Sequence, residues 1–149
     1  MTTSEPSNRR LLPVDDDRDT AGYWEAARRH ELAISVCGTC GAPLHLPRAY
    51  CSRCNSWNAI WKTVTGRGHV YSWTTVEHQV HPAYPVPYTI VLVELDDMPG
   101  VRLVGHLPGT APVTEGQAMQ VWFMPVDDDV VLPQWEPVLS GRSIDEETT

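Results

Sequence analysis

The feature that most restricts this chain is the spacing Cys37-x2-Cys40-x10-Cys51-x2-Cys54, which uses every cysteine it has. Two close pairs joined by a hairpin-length spacer bring four thiolates to the corners of a tetrahedron, a geometry that zinc accepts without preference of its own. The residue after each pair, Gly41 and Asn55, tolerates the left-handed backbone that tight metal-binding turns require. A four-thiolate site is closed, so it holds a fold together and does not activate water. Structural zinc is the expectation. Iron in a rubredoxin-type site uses the same ligands and would make the chain an electron carrier. Disulfides fit poorly, because the polar start MTTSEPSNRRLLPVDDD does not read as a secretory signal.

Around the cysteines the pattern is that of a β protein. Thirteen prolines, ten glycines and a single Phe in 149 residues point to short strands joined by turns rather than to a helical bundle. One helix is expected, from Ala21 to about His30, capped by Asp19 or Thr20, with Tyr23, Trp24, Ala27 and Leu32 on its apolar face. Strands are expected at Trp61–Thr65, His69–Glu77, Tyr88–Leu95, Val101–Leu107, Met119–Val126 and Val130–Trp135, with Pro133 tolerable only at an edge. Five or six strands with a long bent first one indicate an OB-like barrel. The organisation read from this is mainly β: a disordered leader at 1–18, an N-terminal helix at 19–34, a rubredoxin-like zinc ribbon at 35–60, an OB-fold barrel at 61–138 and an acidic tail at 139–149. No apolar run reaches the ~20 residues of a membrane helix, and a cytoplasmic location is the default expectation.

Net charge is −8, which argues against a protein built to hold nucleic-acid phosphates. The charge is unevenly spread. From Leu32 to Val76 there is no Asp or Glu, yet Arg48, Arg53, Lys62 and Arg67 lie in that window. One explanation is local: zinc with four thiolates carries about −2, which nearby cations offset. The other is that these four face a polyanion, such as the phosphates of coenzyme A or an acidic partner surface.

The chain resembles the zinc-ribbon and OB-fold family found beside thiolase-like enzymes. The likeness rests on Tyr23-Trp24, Glu31-Leu32, Cys37 to Gly41, Leu46-Pro47-Arg48, Cys51 to Cys54, Trp61 and the run Gly66-Arg67-Gly68-His69-Val70-Tyr71-Ser72. It continues through Pro87-Tyr88, Val93-Glu94-Leu95, Val101-Arg102-Leu103, Gly116 and Val121, and so covers Thr20 to Pro137. The resemblance implies a companion subunit, itself without catalytic residues, of a thiolase-type aldolase or acyltransferase. The partner would make or break carbon–carbon bonds in acyl-CoA thioesters, as in retro-aldol cleavage of steroid side chains. The companion would contribute a ribbon at the interface and a barrel that helps shape the acyl or CoA channel.

The loop from His78 to Pro87 holds three prolines and joins two long strands, a place where barrels carry function. His81 and Tyr84 are candidate contacts to an acyl chain or to the partner, beside Arg48, Arg53, Lys62 and Arg67. No nucleophile motif, phosphate loop or carboxylate pair gives the chain chemistry of its own. The competing class is a single-stranded nucleic-acid module with structural zinc. It draws on Tyr71 and Trp73, which alternation would put on one strand face, and on the basic ribbon. The acidic strands beyond Val76 count against it.

Overall fold

The computed structural model describes residues 9–139; the expected acidic tail from 140 onward and the first eight residues of the leader lie outside them. The described chain forms α1 (Ala21–Arg28), β1 (Leu32–Cys37), β2 (Ala59–Val64), β3 (Arg67–Val76), β4 (Tyr88–Leu95), β5 (Met98–Pro108), β6 (Ala118–Pro125) and β7 (Val131–Pro137). β1 and β2 pair antiparallel, and the other five strands form one antiparallel sheet in the order β5-β4-β3-β6-β7. The outer strands of that sheet approach each other. The His106 N–H donates to Gln134 Oε1 at 3.1 Å, and Gly105 lies against the Trp135 ring. The sheet thereby curls into the small OB-type barrel expected from the strand pattern. Pro133 sits on β7, an edge of the hydrogen-bonded sheet, where its missing N–H costs least.

The helix is entered differently from the expected cap. Thr20 stands at the N-cap but its side chain makes no capping bond. Instead the Asp17 carbonyl accepts from the N–H groups of Thr20 and Ala21, and its carboxylate accepts from the Asp19 N–H at 2.9 Å. The helix stops at Arg28 rather than His30 because His30 turns left-handed, with φ 59°. The N–H groups of His30 and Glu31 then return to the Ala27 and Ala26 carbonyls at 2.9 and 3.0 Å, the reverse turn that closes many helices. A non-glycine residue in this conformation costs about 1 kcal/mol. The His30 ring stacks parallel on Phe123 of β6, with centroids 5.5 Å apart. Leu32, expected on the helix, is thus freed to begin β1.

β1 is buried along its whole length. Its Leu32, Ile34 and Val36 join Val64, Val70, Val91, Val93, Leu95, Met119 and Trp135 in one core. The bounds drawn from sequence at 34 and 60 therefore fall inside strands of a continuous structure: β1 starts at Leu32, and β2 spans Ala59–Val64. Arg28 ties three parts together, bonding the Asp15 carboxylate of the leader and the Asp129 carbonyl of the β6–β7 turn.

Thr89, fully buried on β4, holds the loop after β5. Its hydroxyl donates to the Gly109 carbonyl at 2.8 Å and accepts from the Ala111 N–H at 3.0 Å. Thr89→Val keeps the shape but strands both backbone groups. Urea denaturation is expected to show a loss of about 1–3 kcal/mol; an unchanged midpoint would mean that water replaces the hydroxyl.

A four-cysteine centre and the surfaces around it

The two cysteine pairs sit in turns that repeat the same hydrogen-bond circuit. In the first, the Cys37 N–H donates to Ala42 O and the Gly41 N–H to Cys37 O, both at 2.8 Å. In the second, the Cys51 N–H donates to Ser56 O and the Asn55 N–H to Cys51 O, again at 2.8 Å. Closing each circuit needs a left-handed residue after the pair, and Gly41 (φ 73°) and Asn55 (φ 59°) supply it, as their types foretold. Asn55 is held there by the Tyr50 hydroxyl, which donates to its Oδ1 at 2.6 Å. The halves are joined by the Thr39 and Ser56 hydroxyls, 2.9 Å apart, and by the Gly38 N–H on Asn58 O at 2.7 Å.

This framework gathers all four sulfurs within 4.8 Å of one another. Cys37 Sγ lies 3.5 Å from Cys54 Sγ, and Cys40 Sγ 3.7 Å from Cys51 Sγ. A zinc–sulfur bond of about 2.3 Å gives a tetrahedron with edges of about 3.8 Å, so the donors fit the ion. The backbone prepares the charge. The Cys40 N–H, aided by that of Thr39, pulls the Cys37 thiol down to about 6, and the N–H groups of Cys54 and Arg53 lower Cys51. The Cys54 sulfur, packed among the other three, is pushed up to about 12 by loss of hydration. A bound cation beside it would favour its thiolate. Four thiolates leave no open position, so the centre is structural zinc and its chemistry is cross-linking.

The other candidate residues are dispersed. Arg48 borders a hollow with Arg18, Trp57 and Trp61. Arg53 lies in the second cysteine turn, Lys62 is exposed on β2 opposite Ile34, and Arg67 opens β3 opposite Gln120. His81 and Tyr84 are neighbours, with ring centroids 5.8 Å apart. His81 Nδ1 accepts from the Ala83 N–H at 3.2 Å, and Arg10 of the leader lies 5.9 Å over the Tyr84 ring. The turn acids are engaged locally: Asp97 accepts from the Thr65 N–H, and Asp96 faces His69 Nδ1 at 3.1 Å.

A register shift in β3 changes the outlook for base stacking. Val70 pairs with Val93 but Ser72 with Leu92 and Trp73 with Val91, so a bulge at Tyr71 breaks the alternation that would align Tyr71 with Trp73. Arg102 covers the Tyr71 ring at 3.6 Å while its Nε binds Glu94 at 2.7 Å. The hollow that both aromatics border also holds Glu115. The bulge and the Arg102 contact alter the stacking platform on which the nucleic-acid reading drew. Sequence reasoning did not foresee the apolar slot formed where Tyr23, Trp24, Leu46, Trp61 and Leu103 converge. Its members are spread over four segments, and no local pattern joins them.

Comparison with known proteins agrees with this architecture. Residues 24–56 match the family described as the ChsH2 rubredoxin-like zinc ribbon domain, and residues 61–124 the ChsH2 C-terminal OB-fold domain. A solved structure titled Ltp2-ChsH2(DUF35) aldolase contains a chain 35% identical to this one. It superposes with a TM-score of 0.75 over 84% of this chain and 98% of that one. A DUF35 protein of Sulfolobus solfataricus, 16% identical with a TM-score of 0.53 over 70% of this chain and 77% of that one, shares the fold. Among curated proteins, a probable enoyl-CoA hydratase alpha subunit of Thermomonospora curvata is 35% identical over 93% of this chain. The 3-oxo-4,17-pregnadiene-20-carboxyl-CoA hydratase alpha subunit of Mycobacterium tuberculosis is 34% identical over 85% of it. The chain spans only 43% and 40% of the length of these two relatives.

The purified protein is expected to be colourless and to carry one zinc per chain by elemental mass spectrometry. Cys51→Ser, which replaces a buried ligand, should cut the bound zinc well below that ratio and lower the melting temperature. Full zinc content in this variant would show that the ion is held elsewhere.

Proposed function

The chain belongs to the ChsH2 (DUF35) family of zinc-ribbon and OB-fold proteins, and from that premise we propose that it serves a thiolase-fold enzyme as an accessory subunit. The partner makes or breaks carbon–carbon bonds in acyl-CoA thioesters, with retro-aldol cleavage of a steroid or other bulky side chain as the reaction in view. The observation that carries this reading is the match to 98% of a chain in a structure titled as an aldolase of two components. The curated relatives, both named as subunits of hydratases acting on CoA thioesters, support the substrate class. Their hydratase activity is not carried over, since the chain matches about two fifths of each.

The surface suits a subunit that keeps company. Leu46, Trp57, Val80 and Val104 are 76, 75, 83 and 66% exposed, apolar groups that a partner would cover in this reading. Val80 lies in the loop that carries His81 and Tyr84, and Val104 on β5. In this reading the loop meets the mouth of the partner's active site. Arg48, Arg53, Lys62 and Arg67 meet its acidic surface or the CoA phosphates. A reducing cytoplasm suits a protein that depends on four thiolates.

Co-expression with the thiolase-like protein encoded nearest to it should yield one hetero-oligomer on size exclusion with mass determination. That species should turn over acyl-CoA only when both chains are present; two separate peaks, neither active with the other, would refute the accessory role. Replacing both His81 and Tyr84 by Ala should preserve zinc and assembly but slow the complex by roughly an order of magnitude, the scale of misplaced substrate contacts. Unaltered turnover would take the loop out of the mechanism.

A further inference from the structure

Beyond its bulge, β3 runs with one side uncovered. It pairs with β6 only through Arg67, Gly68 and His69, and the turn before β6 takes over at Val70. There the Val70 N–H donates to Gln117 O at 2.9 Å, and its carbonyl accepts from the Gly116 N–H at 2.8 Å. Val70 thus turns its backbone groups away from Val93, the residue opposite it on β4. In an antiparallel ladder such pairs recur at every second residue. Val91 and Thr89 are next in that series along β4, and they oppose Trp73 and Thr75. The N–H and C=O groups of Trp73 and Thr75 therefore point out of the sheet. Among the described residues no hydrogen bond from a loop or a side chain meets them.

The strand's own sequence does not guard this edge. Tyr71-Ser72-Trp73-Thr74-Thr75-Val76 contains neither proline nor charge, two usual devices against stray pairing, and is rich in strand-forming types. Space lies alongside: a hollow of about 430 Å³ is bordered by Tyr71, Ser72, Trp73 and Glu115. Ser72 and Trp73 point to opposite faces, so an opening that both border runs past the edge. Trp73, 43% exposed, shares the face of the fully buried Val91 opposite it. Its indole is an apolar surface for a neighbouring strand's side chain.

Charge selects what can lie there. Glu115 borders the hollow and Glu77 follows the strand, both exposed. Arg102 is the sole Lys or Arg from 68 to 141, and Glu94 already binds it. A second copy of this chain would bring the same acids into the contact, so pairing with itself is disfavoured.

We propose that this edge accepts an extended segment of another protein as an added strand, with an apolar or β-branched residue on Trp73 and a lysine or arginine facing Glu115. In such strand addition the backbone supplies affinity and the flanking groups supply choice. Only this chain and the segment are needed, so the proposal is tested apart from the accessory role.

The test is hydrogen exchange on the zinc-loaded chain, resolved at single amides by NMR, with a short synthetic peptide alternating valine and lysine. The peptide should slow exchange at Trp73 and Thr75 ten-fold or more. Its fully N-methylated form, which keeps the charge but loses the donors, should protect neither. A version with glutamate in place of lysine should bind at least ten-fold more weakly, and Glu115→Lys should erase that preference. Thr75→Pro removes an outward N–H and no ladder bond, and should weaken binding about ten-fold. Should that variant disturb β3, Glu115→Lys, at an exposed turn position, still decides. Absent protection, equal protection by the N-methylated peptide, or indifference to the sign of the peptide's charge would overturn the proposal. Protection that deepens with the concentration of the chain alone would overturn it in favour of self-pairing.

Discussion

The gathering of four sulfurs around one ion is the constraint on which the rest of the molecule leans. The ribbon's own apolar centre consists of Cys37, Ala42, Leu44 and Cys51, far too little to fix two tight turns against the entropy of ordering them. Coordination supplies what packing lacks. Its effect extends beyond the turns, because Cys37 is the last residue of β1. The same strand sends Leu32, Ile34 and Val36 into the core shared with the barrel. Zinc therefore sets the position of one wall of that core and, through β2, the position of Trp61.

Such an arrangement is consistent with the accessory role proposed above. The rigid parts are shared between ribbon and barrel. Exposed apolar groups lie on both, Leu46 and Trp57 in the ribbon and Val80 and Val104 on the barrel. Charged residues that elsewhere read as catalytic are tied down: Arg102 between Glu94 and Tyr71, Asp97 on a backbone amide, Asp96 against His69.

What could be read in the sequence was what is local. The metal ligands, the left-handed roles of Gly41 and Asn55, the strand Tyr88–Leu95 and the edge position of Pro133 each follow from a few adjacent residues and a known backbone requirement. The helix end was missed because His30 adopts a conformation usually left to glycine, in a reverse turn where its ring stacks on Phe123, more than ninety positions away. The bulge at Tyr71 was hidden for a related reason: register is fixed by the partner strand, and a one-residue shift leaves composition untouched. The apolar slot at Trp61 was out of reach altogether, since its walls come from the helix, β1, the segment between the cysteine pairs, β2 and β5.

The two cysteine turns carry identical backbone circuits, each closed by its own hydrogen bonds. The ion consequently meets two bidentate clasps rather than four separate thiols. Once the first clasp has taken hold, the second competes at an effective concentration set by the ten-residue spacer, on the order of millimolar for a short linker. Metal retention is then a matter of how seldom both clasps open together, which makes the ribbon a kinetic trap for its ion as much as a thermodynamic one.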